Sequence, residues 1–194
     1  MHETAIKILD AAKTLFNTRG LRKTTVEDIA RDAGIGKGTV YNYFDDKEAI
    51  FLAAKRAECA ELMQKFRKAI RGEQSAGLQL LRFVNCWHHE ITAYQAKYPF
   101  SSDVFAEFEE VEECAVIMRE FHHDQKVLIT GIMETGFDSG EFQIQDLDTA
   151  CWTVLVALNG LSMSHLLQGF DVRQNMRSQT IGSTLLAAFS KKAA

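Results

Sequence analysis

Between Gly36 and Lys47 the chain reads GKGTVYNYFDDK, a run of amide, hydroxyl and ammonium donors with no nucleophile and base set beside one another. Lys37 can meet a phosphate or a guanine edge, and the Thr39 hydroxyl or methyl can meet a base edge. Asn42 can bond phosphate or an adenine edge, and Tyr41 and Tyr43 can donate to phosphate oxygens. Gly38 lets a partner's backbone come close. Thr25 and Lys47 stand at expected helix starts, where backbone N–H groups and the positive dipole end face anions. This is chemistry for holding a duplex. Enzymatic motifs are missing: there is no glycine-rich phosphate loop with its strand, no Ser/His/Asp or Cys/His motif in a recognisable local context, and no H-E-x-x-H. The reading is of a protein that is not an enzyme and needs no cofactor.

Two short helices must position these donors. Thr24 followed by Glu27 has the spacing of a capping box, which starts a helix through Val26, Ile29 and Ala30 to a break at Gly34. After a tight turn, a second helix runs from Lys37 to about Tyr43. Val26, Ile29, Ala30, Ala33, Ile35, Val40 and Phe44 form an apolar seam against a preceding helix, about residues 3–18, striped by Ala5, Leu9, Ala12 and Phe16 and ended by Gly20. This is the organisation of a helix-turn-helix.

The chain has 194 residues, a net charge of −4 and a single proline, Pro99. Its first 50 residues hold eight Lys/Arg and eight Asp/Glu, so the acidic surplus lies behind the donor-rich segment. Charge therefore permits a nucleic-acid partner without predicting one. Cys59, Cys86, Cys114 and Cys151 form no C-x-x-C pair and read as free thiols buried in helices, in a reducing cytoplasm. No apolar stretch reaches the ~18 residues that span a bilayer, so no membrane role is expected.

Apolar spacings of three and four recur almost throughout, so the chain reads as all-α, with about nine helices. Asp45-Asp46 can cap a long helix beginning near Lys47 and continuing through Phe66 and Ile70 to Gly72. Further helices are expected at about 75–97, from Ser101 or Ser102, at about 111–134 closing at Gly136, at 147–168 and at 172–190 from an Asp171 cap. The segment from Leu147 is apolar on two faces and needs two partners. Leu155, Leu158 and Leu166, with Ile181, Leu185 and Phe189 of the last helix, could supply an intersubunit four-helix bundle, or be buried within one subunit.

The stretch from Ile8 to Phe51, with ILDAAKTLF, the Gly20 turn and TTVEDIARDAGIGKGTVYNYFDDKEAIF, strongly resembles the N-terminal DNA-binding domain of the tetracycline-repressor (TetR) family. The resemblance covers about a quarter of the chain. It implies a helix-turn-helix domain over 1–47 and a helical effector-binding and dimerisation domain over 48–194. It also implies that Thr25, Gly36, Lys37, Gly38, Thr39, Tyr41, Asn42, Tyr43 and Lys47 occupy DNA-contact positions. Gly36 stands where Ser or Thr is frequent, which removes a side-chain phosphate contact. The implied function is a homodimeric repressor of a palindromic double-stranded operator, released by a small molecule.

For that molecule, aromatics are dense in the second part of the chain. Phe83, Trp87, Phe105, Phe108, Phe121 and Trp152, with Tyr94 and Phe100 and the polar His88, Asn159 and His165, suit an apolar or aromatic effector, although plain core packing would use the same residue types. The run Glu107, Glu109, Glu110, Glu112, Glu113 reads as a solvated acidic face or an attractor for a cationic effector. The pairs His88-His89 and His122-His123 leave a metal-responsive regulator open, but neighbours on a helix point about 100° apart, so each pair offers one ligand. A DNA-binding regulator with no effector is the other alternative.

Overall fold

A computed structural model of the chain describes residues 3–99, 101–162 and 178–190. Among them the chain is all-α: α1 Glu3–Lys23, α2 Val26–Asp32, α3 Lys37–Tyr41, α4 Lys47–Ile70, α5 Ala76–Lys97, α6 Ser102–Glu109, α7 Glu112–Asp138, α8 Leu147–Ser162 and α9 Ser178–Phe189. An isolated antiparallel bridge joins Phe142 to Ser190. The stretches around Phe100, His165, Leu166 and Asp171, and the expected end of α8 and start of α9, lie outside the described residues.

Packing divides the chain into two compact units, Met1–Glu61 with Gln95–Glu120 and Leu62–Tyr94 with Phe121–Ala194. The core of the first unit is built from Ile8, Ala12 and Phe16 of α1, Ile29 of α2, Val40 of α3, and Ile50, Phe51 and Ala54 of α4. Phe51 meets Phe16 edge to face at 5.2 Å and Phe108 at 5.1 Å, so α6 closes this core. A polar set sits at its side: Lys55 Nζ donates to Asn17 Oδ1 at 2.6 Å and to Glu58 at 2.9 Å, and Asn17 Nδ2 donates to Glu58 at 2.6 Å. Each group offers what the next lacks, so Asn17 is buried without an unpaired amide.

α1 does not simply stop at Gly20. Gly20 takes φ 84 and ψ 170 inside it, and one further turn follows. The capping box expected at Thr24 and Glu27 lies one residue later. Thr25 Oγ accepts from the Asp28 N–H at 3.1 Å, and the Asp28 carboxylate accepts from the Thr25 N–H at 3.1 Å. Thr24 is fully buried and its hydroxyl donates to the Gly20 carbonyl at 2.7 Å. The kink captures that hydroxyl, and the next Thr takes the cap.

The second unit packs Phe66 of α4, Leu80, Phe83 and Trp87 of α5, Ile129, Ile132 and Met133 of α7, Val154, Leu155 and Leu158 of α8, and Ile181 of α9. Here α7 runs past its expected end at Gly136 to Asp138, and Gly140, with φ 74, makes the turn. Gly136 serves packing instead: a Cβ there would lie 2.2 Å from the Phe142 ring. Glu141 ties the loop to the start of α5, its carboxylate accepting from Ser75 Oγ at 2.7 Å, Gly77 N–H at 3.0 Å and Ala76 N–H at 3.1 Å.

Candidate nucleic-acid interface and its sensor

The α2–α3 pair is held from below by Val26, Ile29, Ala30 and Val40, all buried, which leaves the opposite side of α3 free to carry donors. Gly34, at φ 68, makes the turn between the two helices, a conformation that a Cβ penalises. Thr25, Gly36, Lys37, Gly38, Tyr41, Asn42 and Tyr43 are exposed and Thr39 and Lys47 are half-buried. A Cβ at Gly38 would meet nothing within 4 Å, and at Gly36 only Thr39 Oγ1 at 3.8 Å. The fold itself therefore does not require glycine at either place. Gly36 caps α3 with no side-chain hydrogen bond, so the first N–H groups of that helix stay open to an outside acceptor.

Electrostatics on this face are set by one pair that sequence reading did not find. Lys37 is ion-paired with Glu27, in the first turn of α2, and lies 5.8 Å from the Tyr41 ring centroid. The hydrogen bond that Lys37 donates to the Glu27 carboxylate raises the Lys37 pKa and lowers that of Glu27. Lys47 is also engaged: its Nζ donates to the Leu21 carbonyl at 2.7 Å, tying the start of α4 to the turn after the Gly20 kink. Asp46 caps α4 by accepting from Ala49 N–H at 2.7 Å.

The aromatics expected to line an effector site are divided between the two units. Phe105 and Phe108 belong to the first unit, where Phe108 packs on Phe51 with Lys55 Nζ 4.4 Å from its centroid. Phe83 and Trp87 are buried in the second core, Phe83 edge to face with Phe66 at 5.3 Å, and Phe121 packs partly buried on the same core. Trp152 is 46% exposed under Lys126, 4.8 Å from its centroid. It faces outward because residues 151, 154, 155 and 158 of α8 already turn inward. His88 is half-buried, and Asn159 donates to the Leu155 carbonyl at 2.8 Å and hydrogen-bonds His122.

Sequence reading missed Gln125. It is 1% exposed on the inward side of α7, and neither its amide oxygen nor its nitrogen has a hydrogen-bond partner. A glutamine in a polar helix gives no sequence signal for this; only the packing of its neighbours reveals it.

Of the residues expected at an intersubunit bundle, Leu155, Leu158 and Ile181 are buried within the single chain, and Leu185 and Phe189 pack partly buried on the same core. Among the described side chains of α8, the large apolar ones left outside are Trp152 and Val156, the latter 64% exposed. The acidic run is not a uniform solvated face, because Glu107 is buried with its carboxylate accepting from Arg22 N–H at 2.9 Å, and Glu110 pairs with the Arg22 side chain. All four cysteines are free, but only Cys151 is buried outright. Among the described residues no three His, Cys, Asp or Glu come together as a metal-holding group. Burial pushes the His122 pKa down, against the Asn159 hydrogen bond. The metal-responsive alternative gains no support. No described helix is long and apolar enough to cross a membrane.

Residues 8–54 match the family model described as bacterial regulatory proteins, tetR family. The chain is 33% identical over 142 residues to the HTH-type transcriptional repressor KstR2 of Rhodococcus jostii (strain RHA1), covering 73% of this chain and 69% of that protein. Two solved structures share the fold at 19% identity. The fatty acid degradation regulator FadR of Bacillus halodurans aligns with TM-score 0.72 over 96% of each chain, and FadR of Bacillus subtilis, in complex with stearoyl-CoA, with TM-score 0.67 over 94% of this chain and 95% of that one.

Proposed function

Because this chain belongs to the tetR family of bacterial regulatory proteins, we propose that it is a dimeric repressor that reads a palindromic operator with α3 and lets go when an apolar small molecule enters its second unit. Residues 1–47 carry the DNA contacts and residues 48–194 the effector and the dimer in this reading. The observation that carries it is the outer side of α3, where Gly36 and Gly38 are bare for no internal reason while Lys37, Thr39, Tyr41 and Asn42 surround them. Thr25 and Tyr43 flank that side, and Lys47 acts through its helix start, its ammonium being held by Leu21.

A bare backbone flanked by neutral donors suits a phosphate ridge approached closely, with base edges read beside it. Two copies related by a twofold axis would place two such helices one helical turn of DNA apart. Trp152 and Val156, one turn apart on the outer side of α8, supply the apolar patch for the second copy.

An apolar effector is supported by the character of the second core, in which Phe83 and Trp87 of α5 and Phe121 of α7 gather, with the polar His88 on α5 and Asn159 on α8. FadR of B. subtilis, solved in complex with stearoyl-CoA, supports an effector with a long apolar part. Control works if the ligand prefers the conformation that does not fit DNA. The test is selection of bound duplexes from a random pool, followed by footprinting across salt concentrations and a melting screen of small molecules. A palindromic footprint that weakens steeply with salt, with some apolar compounds raising the melting temperature, is expected; a salt-insensitive footprint without twofold symmetry overturns it.

A further inference from the structure

Gln125 occupies the inward stripe of α7, between Phe121 and His122 on one side and Leu128, Ile129 and Ile132 on the other. Phe121, Leu128, Ile129 and Ile132 belong to the second apolar core. In that setting both its amide oxygen and its amide nitrogen are buried and unpaired. A buried polar atom without a partner is expensive, because it has given up water and received nothing in exchange. Glutamine presents one acceptor and two donors about a fixed plane, so what would satisfy it is a group offering a donor and an acceptor side by side.

The surroundings narrow the charge of that group. The nearest titratable neighbour on the stripe, His122, is hydrogen-bonded to Asn159, and burial holds its pKa below the ordinary value, so it is neutral at pH 7.5. Lys126, next along α7, is turned toward Asp148 at 2.5 Å and over Trp152. No cation is therefore assigned to this stripe to balance a carboxylate, and an unbalanced charge in an apolar core is disfavoured far more than a neutral dipole.

We propose that Gln125 is the polar anchor of the effector site, recognising an uncharged carboxamide carried on an apolar body through paired hydrogen bonds to its carbonyl and N–H. This rests on the reading of an apolar effector in the second unit and gives that effector a head group. Specificity follows from the unpaired state: an apolar ligand that lacks the group leaves Gln125 unsatisfied, as it is in the free protein, whereas an amide completes both bonds.

The test uses the full-length protein and three probes of one chain length, dodecanamide, methyl dodecanoate and dodecanoate, by isothermal titration at pH 7.5. The native protein is expected to bind dodecanamide about tenfold tighter than methyl dodecanoate, the equivalent of one good hydrogen bond, with dodecanoate weakest. Gln125→Met, of similar length without the amide, brings the ratio of the first two to about one and raises the melting temperature of the ligand-free protein by about 2–4 °C. Gln125→Leu repeats the measurement should the first variant fold poorly. If the native protein binds the amide and the ester equally, or the variants keep the preference, the anchor is wrong and the apolar-effector reading stands. If the native protein binds none of the three, the apolar-effector reading falls and the anchor falls with it.

Discussion

The Glu107 carboxylate fills the space that a side chain at position 20 would need: a Cβ on Gly20 would lie 2.6 Å from Glu107 Oε2. Gly20 is kinked at φ 84, and the carboxylate accepts from the Arg22 N–H at 2.9 Å, two residues past the kink. α6 is thereby hooked to the end of α1 through one acid that the sequence presents as one of five in an acidic run.

Gly20→Ala should destabilise the protein by about 2–3 kcal/mol, since it adds left-handed strain to a clash with Glu107. Glu107→Gln should cost less, about 1 kcal/mol, because an amide oxygen can still accept from Arg22 N–H. Urea unfolding curves compare them; a Gly20→Ala protein as stable as its parent would show that the kink relaxes freely.

On the α3 face, Lys37→Ala should weaken operator binding and reduce the slope of log affinity against log salt by about one. Glu27→Gln should do the reverse. It releases Lys37 from its ion pair and removes a negative charge from the face that meets phosphate, so binding should tighten at low salt and the gain should fade as salt rises. Fluorescence anisotropy with the selected operator measures both changes.

Val156→Arg and Leu158→Ala should separate assembly from folding. Val156 is exposed, so the arginine should turn dimers into monomers in sedimentation equilibrium while the melting of the monomer stays put. Leu158 is 1% exposed, and its truncation should cost about 2–5 kcal/mol as a core cavity. Dimers that persist in Val156→Arg would move the interface elsewhere.

Acid should loosen the loop after α7 through Glu141. The Gly77 N–H and the Ser75 hydroxyl lower its pKa below the ordinary value of 4.5. A carboxyl whose folded pKa is depressed contributes stability that is present above 4.5 and fades as pH falls through the folded value. Glu141→Gln should therefore lower stability at pH 7, and the gap between variant and parent should close as pH falls below 4.5. A gap independent of pH would mean that the charge on Glu141 is irrelevant.

The helix-turn-helix was legible because its determinants are local: Val26, Ile29, Ala30 and Val40 lie within 15 positions of one another and can bury only one way. Even there the cap moved from Thr24 to Thr25, because Thr24 spends its hydroxyl on a kink four residues earlier. In the second unit local pattern runs out. An α8 with apolar residues on two sides does not say which is inward, and the choice of Leu155 and Leu158 over Trp152 and Val156 is made by α5, α7 and α9. Nothing local in the sequence says which core Phe108 joins; its long-range contact with Phe51 assigns it to the first. Gly136 looks like a stop until Phe142 is seen lying on it.

The first core takes Ile50, Phe51 and Ala54 from α4, and Phe108, Val111 and Cys114 pack on it from beyond residue 100. A reading head transplanted between relatives as residues 1–47 would thus arrive with its underside open. The smallest cassette for grafting operator specificity onto another sensor is discontinuous, and a chimera must also carry the α6 segment or match the recipient's own to Phe51 and Gly20.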